Sequence, residues 1–146
     1  MQTEQDLDPL LANQQNQLDL IFGEGDSIDS KALAILGANV AIIIFVNQTA
    51  HGLALWEYLA LYAPFGLSLL LNLFSIWPRR YLYAGVATDR LTDYINMDRD
   101  ELLLQLLSTT QAAIEHNSRL NNLRMRAALV SIGITGLGFL LLLGIL

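Results

Sequence analysis

The sequence contains no cysteine, so it can form no disulfide and has no thiolate for zinc or for nucleophilic attack. Charged residues are also scarce: they make up 15% of the 146 residues, against about 25% in soluble domains. Catalytic and phosphate-binding motifs such as HExxH, GxSxG and a glycine-rich phosphate loop are missing. These absences argue against an enzyme, and the sequence predicts no metal site and no cofactor.

Basic residues are few and segregated along the chain. No basic residue precedes Lys31, although seven acidic residues do, and the net charge is −6. Every other basic residue lies between Arg79 and Arg126. A chain this poor in exposed positive charge is not expected to bind long nucleic acids.

Apolar residues, which make up 53% of the chain, cluster in three runs. A membrane-spanning helix needs about 17–25 predominantly apolar residues. The runs therefore predict an all-α integral membrane protein whose transmembrane helices cover about 32–50, 53–77 and 127–146. Pro64 lies inside the second run, where transmembrane helices tolerate a kink.

The positions of the basic residues predict the orientation in the membrane. With three spans, segments 1–30 and 79–126 lie on the same side, and they hold every basic residue except Lys31, which directly follows segment 1–30. By the positive-inside rule this side is the cytoplasm, and the C-terminus is expected on the far side of the membrane. Lys31, Arg79 and Arg80, at the membrane boundaries, are the predicted topology anchors.

Both cytoplasmic segments are predicted to be helical. In segment 1–30, Asp8 and Pro9 are typical of a helix start, and the glycines of Gly23–Gly25 predict its end. In segment 79–126, a short helix is predicted over Tyr81–Tyr94. A second helix starts near Asp98 and continues without glycine or proline into the third span.

A stripe along this long helix has roughly heptad spacing and becomes polar towards the membrane. It favours a coiled-coil or bundle seam, in which asparagines fix register. The alternative is a ligand-binding surface, in which arginines bind phosphate and asparagines bind a base edge. The residues of this candidate ligand site are Asn117, Arg119, Asn121, Arg124 and Arg126.

Polar and small residues also occur inside the predicted spans, where an unpartnered amide or hydroxyl is costly. They indicate either helix–helix contacts or the lining of a water-filled pore. No acidic or basic residue lies deep in a span, which argues against a coupled transporter. These pore or helix-packing candidates are Asn39, Ser68, Asn72, Ser131, Thr135 and Gly138.

Three motifs, in this order, resemble those of the Pycsar effector proteins, small membrane effectors of bacterial anti-phage systems. Ile28-Asp-Ser-Lys-Ala32 opens the first span and Trp77-Pro-Arg79 closes the second. Glu101-Leu-Leu-Leu-Gln-Leu-Leu107, followed by Asn117 and Leu120-x-x-Leu123, leads to the last span. The chain has Arg124-Met125 where the family usually has lysine followed by an aromatic residue.

The resemblance implies a homo-oligomeric effector that disrupts or depolarises the inner membrane. Its gate would respond to a cyclic nucleotide or oligonucleotide from a partner cyclase, or to a partner protein. Two other functions stay open at this stage. One is a non-conducting accessory or structural subunit of a membrane complex, and the other is a pore former similar to a phage holin.

Overall fold

The computed structural model describes residues 7–49, 52, 54–85 and 97–145. Over these residues the chain is all-α, with helices α1 (Leu7–Thr49), α2 (Leu55–Ile76) and α3 (Arg99–Ile145) and no strand. Each helix contains a stretch long and apolar enough to cross a membrane. The predicted fold class, an all-α membrane protein with three spanning helices, is confirmed.

Helix α1 runs unbroken for 43 residues, so the helix end predicted at Gly23–Gly25 is wrong. A helical glycine costs about 1 kcal/mol relative to alanine, which tertiary contacts can outweigh. Gly25 is buried, and a Cβ at this position would lie 2.7 Å from the Tyr81 hydroxyl. Gly25 therefore permits a close approach inside the helix instead of ending it.

Helix α3 is continuous for 47 residues, which confirms that the last span extends a longer helix. The helix begins directly after Asp98, whose carbonyl accepts a hydrogen bond from the Leu102 N–H at 3.0 Å. The helix contains no proline, which would remove a backbone hydrogen bond, and its first glycine, which lowers helix propensity, is Gly133.

Helix α2 begins after Ala54, whose N–H donates to Glu57 Oε2 at 2.7 Å. Pro64 lies inside the helix, and Trp77 ends it with extended backbone angles. The chain is not helical over 79–85, so the short helix predicted from Tyr81 is wrong over its first turn. The backbone of Leu82 is hydrogen-bonded to a side chain of α3 instead. The rest of that predicted helix, 86–94, lies outside the described residues.

The chain divides into two compact units, described separately below. Unit 1 comprises Met1–Gly25 and Arg79–Asn121, and unit 2 comprises Asp26–Pro78 and Asn122–Leu146. The buried positions of unit 2 recur at spacings of three, four or seven residues, the heptad pattern of helices packed at a shallow angle. On α2 they are Leu61, Phe65, Ser68, Asn72 and Ser75.

Unit 2 has an unusual distribution of polarity for a helical bundle. Many of its large apolar side chains are exposed, including Leu70, Leu129 and Leu140, while several polar side chains are fully buried. An apolar core is present as well, around Val46, Leu61 and Leu142. An apolar exterior around a partly polar interior is the arrangement that lipid solvation favours, and it agrees with three membrane-spanning helices.

Candidate functional site

Five polar side chains from all three helices meet inside unit 2, and we call them the polar network. Helix α1 contributes one residue, whereas α2 and α3 each contribute two that are four residues apart. A separation of four residues places two side chains on the same helix face. The members are Asn39, Ser68, Asn72, Ser131 and Thr135.

The Ser68 hydroxyl is at the centre of the polar network. Its Oγ lies 2.7 Å from Asn39 Nδ2, 2.6 Å from Ser131 Oγ and 2.7 Å from Thr135 Oγ1. Thr135 also donates to Asn39 Oδ1 at 3.0 Å. The Asn72 amide donates to the Ser68 carbonyl at 3.0 Å and to Ser131 Oγ at 2.6 Å. Each of the three helices is thereby hydrogen-bonded directly to both of the others.

These bonds form inside helices that cross a membrane, where no bulk water can replace them. An unpaired buried polar group costs about 1–3 kcal/mol. Asn39, Ser68, Asn72 and Ser131 are each 0% exposed, and Asn72 Oδ1 has no hydrogen-bond partner within the described part of the chain. Separating the helices in lipid would expose more such atoms, so the polar network favours the closed arrangement.

Gly138 brings α3 close to α2 one turn beyond the polar network. A Cβ on Gly138 would lie 2.9 Å from Phe65 Cζ and 3.0 Å from Pro64 Cβ. The missing side chain therefore allows the two helices to pack closely, as small residues do in membrane proteins.

Arg124 joins three parts of unit 2 at a second polar site. Its Nη2 donates to the Asp29 carboxylate on α1, and its Nε donates to the Ser75 carbonyl at 2.7 Å. Ser75 Oγ in turn donates to the Arg124 carbonyl at 3.2 Å. Ser75 belongs to the last turn of α2, where carbonyls lack helical partners and a cation is favourable. We call Asp29, Ser75 and Arg124 the arginine cluster.

In unit 1, two asparagines of α3 hold the non-helical segment 79–85, which we call the strap. The Asn117 amide accepts from the Leu82 N–H at 3.0 Å and donates to the Leu82 carbonyl at 2.8 Å. Asn121 accepts from the Tyr81 hydroxyl at 2.8 Å and donates to the Ile21 carbonyl of α1 at 2.7 Å. Asn117 therefore satisfies both backbone groups of Leu82, which a helix or strand would otherwise pair, and Asn121 joins the strap to α1.

An aromatic contact adds to this attachment. The ring of Phe22 on α1 lies 5.7 Å from the Tyr81 ring in an edge-on arrangement and 5.2 Å from the Tyr83 ring, centroid to centroid. Such pairs contribute about 0.5–1.5 kcal/mol beyond the area they bury. The strap thus contacts both α1 and α3 within unit 1.

Two nearby glycines of α1 test this contact, because a Cβ on Gly25 would meet Tyr81, whereas a Cβ on Gly23 would meet no described residue within 4 Å. We expect Gly23→Ala to raise the free energy of unfolding by about 0.5–1 kcal/mol, through helix propensity alone. Gly25→Ala gains the same propensity but should lower the free energy of unfolding by about 1 kcal/mol in total, because the new Cβ displaces Tyr81 from both Asn121 and Phe22. Thermal unfolding followed by circular dichroism in detergent measures both. Stabilisation by both substitutions would show that the contacts of Tyr81 with Asn121 and Phe22 do not stabilise the fold.

Among the described residues, no group of three or more His, Cys, Asp or Glu side chains is placed to hold a metal ion. A family model, the Pycsar effector protein domain, matches residues 13–146. The chain belongs to this family. A Pycsar effector is a membrane protein of anti-phage defence that acts with a nucleotide signal system, as the sequence motifs indicated. Neither a curated protein nor a solved structure gives a significant match.

The Pycsar effector places the five candidate ligand-binding residues in different surroundings. Asn117 and Asn121 of unit 1 are buried and bonded to backbone groups, and Arg124 of unit 2 is buried in the arginine cluster. Arg119 in unit 1 and Arg126 in unit 2 are exposed. Their role in ligand binding stays a prediction.

The other candidate residues of the Pycsar effector are placed as follows. Five of the six pore or helix-packing candidates form the polar network, and the sixth, Gly138, packs against Pro64 and Phe65. A pore-lining role stays a prediction. Of the topology anchors, Lys31 is exposed on α1, and Arg79 and Arg80 directly follow the end of α2 and Pro78. Asp29, Tyr81 and Leu82 were not predicted as partners of the asparagines and Arg124.

Proposed function

We propose that this Pycsar effector is dormant as it stands and depolarises the bacterial inner membrane when a nucleotide signal or a partner protein opens it. The polar network is the main support for this proposal, because its side chains can hold the helices together and can also hydrogen-bond to water. In this state its polar groups bond one another inside the chain. If the helices move apart, the same hydroxyls and amides would line a hydrated path.

The chemistry of the polar network suits a leak better than coupled transport or catalysis. Its side chains are neutral, so they neither bind a coupling ion by charge nor exchange protons at ordinary pH. A leak needs only hydrated polar groups across the apolar layer, and it dissipates the membrane potential without consuming a substrate. We infer that the effector is not an enzyme.

Opening requires more than one copy of the chain. Side chains fill the centre of unit 2, and three helices have too few walls to enclose a water-filled path. The α3 surface offers close-approach positions for a neighbour, since no atom of the described residues lies within 4 Å of a Cβ built on Gly133 or Gly136. We therefore propose that the conducting state is a homo-oligomer, in which helices of several copies surround the path.

The gating signal fits the exposed basic residues of the part predicted to be cytoplasmic. Arg119 in unit 1 and Arg126 in unit 2 present guanidinium groups to solvent, and guanidinium binds phosphate with two parallel hydrogen bonds. A signal that moves the effector from almost fully closed to almost fully open must prefer the open state by about 5.5 kcal/mol. A cyclic nucleotide or oligonucleotide carries a phosphate that such a guanidinium binds. A protein partner that binds the open state more tightly is the other source of this free energy.

The test is the membrane potential of bacteria that express the effector, followed with a voltage-sensitive dye. We expect depolarisation after phage infection or co-expression of a nucleotide cyclase, and a normal potential without either. Depolarisation without a trigger would favour a pore that acts by accumulation, similar to a holin. No depolarisation under any trigger, with the protein present in the membrane, would favour a non-conducting accessory subunit.

A further inference from the structure

We propose that the arginine cluster is the latch that keeps the effector closed, and that loss of the Asp29–Arg124 ion pair opens unit 2 without a signal. This inference rests on the proposed function, since it names a contact that restrains the gate. The contact joins all three helices of unit 2, because Asp29 lies on α1, Ser75 on α2 and Arg124 on α3.

The two charges of the pair are buried very unequally. The Arg124 side chain is 3% exposed, whereas that of Asp29 is 40% exposed. Removing one partner of an ion pair is strongly destabilising when the charge left behind is buried. If the pair breaks, the Asp29 carboxylate can be hydrated where it is, but Arg124 must move to reach water. Arg124 is part of α3, so its movement displaces α3 from α1 and α2.

The latch and the polar network occupy the same faces of α2 and α3. Ser75 lies seven residues after Ser68, and Arg124 lies seven residues before Ser131. Seven residues are close to two helical turns, so each pair shares a helix face. These faces form the α2–α3 contact at both levels, through Ser75–Arg124 and Ser68–Ser131. Release of Arg124 therefore weakens the contact that the polar network needs in order to stay closed.

Ala128 provides a reporter for this movement, one turn from Arg124. It is 4% exposed, and the chain has no cysteine of its own, so Ala128→Cys introduces a single buried thiol. A thiolate reacts with N-ethylmaleimide when water reaches it. Labelling of this thiol in membranes then measures opening of unit 2 independently of any ion flow, while the dye measures membrane potential in the same cells.

The reporter is combined with four changes. Asp29→Asn removes the carboxylate of the Asp29–Arg124 ion pair, and Arg124→Ala removes the guanidinium that bridges the helices. Asp29→Asn with Arg124→Gln removes both charges but keeps a bridge, because a glutamine amide nitrogen stands where Arg124 Nε does along the side chain and can donate to the Ser75 carbonyl. Asp26→Asn is the control, because Asp26 is an exposed acid one turn earlier on α1. We expect the first two changes to speed labelling about tenfold or more, equivalent to at least 1.4 kcal/mol, and to depolarise cells without a trigger. The double change and the control should stay protected.

The two readouts separate failure of the latch from failure of the proposed function. Faster labelling without depolarisation would support the latch and contradict depolarisation as the function. Unchanged labelling in Asp29→Asn or Arg124→Ala would overturn the latch, whatever the potential does. Labelling of the double variant as fast as that of Asp29→Asn would also overturn it, because charge pairing would not be what holds unit 2. If Asp29→Asn does not accumulate, Arg124→Ala still decides, since the carboxylate it leaves is partly exposed.

Discussion

A disulfide between positions 68 and 131 is expected to abolish depolarisation by this Pycsar effector. The Oγ atoms of Ser68 and Ser131 lie 2.6 Å apart, and a disulfide bond is about 2.05 Å long. Cysteines at these two positions should therefore pair with little movement, and no native cysteine competes with them. The disulfide joins α2 to α3 in the middle of the polar network. Triggered cells that carry the oxidised double variant should keep their membrane potential.

The matched controls are the two single variants, Ser68→Cys and Ser131→Cys, which cannot form this bond. Under the same oxidant both should depolarise cells when triggered, and reduction should restore depolarisation by the double variant. Gel mobility without reductant, together with thiol counting, identifies the bond within one chain. Depolarisation by the fully oxidised double variant would mean that α2 and α3 stay together during conduction. That result would contradict the proposed opening of the polar network while leaving the membrane location untouched.

The spans and the candidate residues of the polar network could be predicted from the sequence because hydropathy and helical periodicity are local. Each apolar run indicated its own helix, and an amide such as Asn39 in an apolar run required a polar partner. The pattern also placed Ser68 and Asn72 on one face of α2. It did not identify which residues would pair, because contacts between helices depend on how the helices are rotated against each other.

The strap and the arginine cluster were missed for a different reason. Asn117 binds backbone atoms of Leu82, and backbone groups are identical at every residue, so no side-chain pattern marks them. Asp29 precedes an apolar run, where an acid is usually solvated, and its partner lies 95 residues away. Gly25 was misinterpreted for a similar reason. Glycine often ends a helix, but here it allows Tyr81, a residue distant in sequence, to approach α1.

Removal of the Asn117 amide is expected to release the strap and destabilise unit 1 by about 2–3 kcal/mol. Asn117→Ala loses two hydrogen bonds, each contributing about 0.5–1.5 kcal/mol, and leaves a cavity at a fully buried position. Asn117→Asp should be about as harmful. The carboxylate still accepts from the Leu82 N–H, but it repels the Leu82 carbonyl to which the amide donates. Asn122→Ala is the control, since Asn122 is exposed on the same helix.

Trypsin offers a local measurement, because Arg80 is exposed in the strap and is followed directly by Tyr81. Cleavage after Arg80 requires the strap to leave α3, so its rate reports how often the contact with Asn117 opens. A loss of about 2 kcal/mol should raise that rate roughly 30-fold, with the control variant unchanged. Equal rates in Asn117→Ala and Asn122→Ala would mean that Phe22 and Asn121 hold the strap without Asn117. A higher cleavage rate in Asn117→Ala alone would show that the Asn117 carboxamide holds the strap against α3.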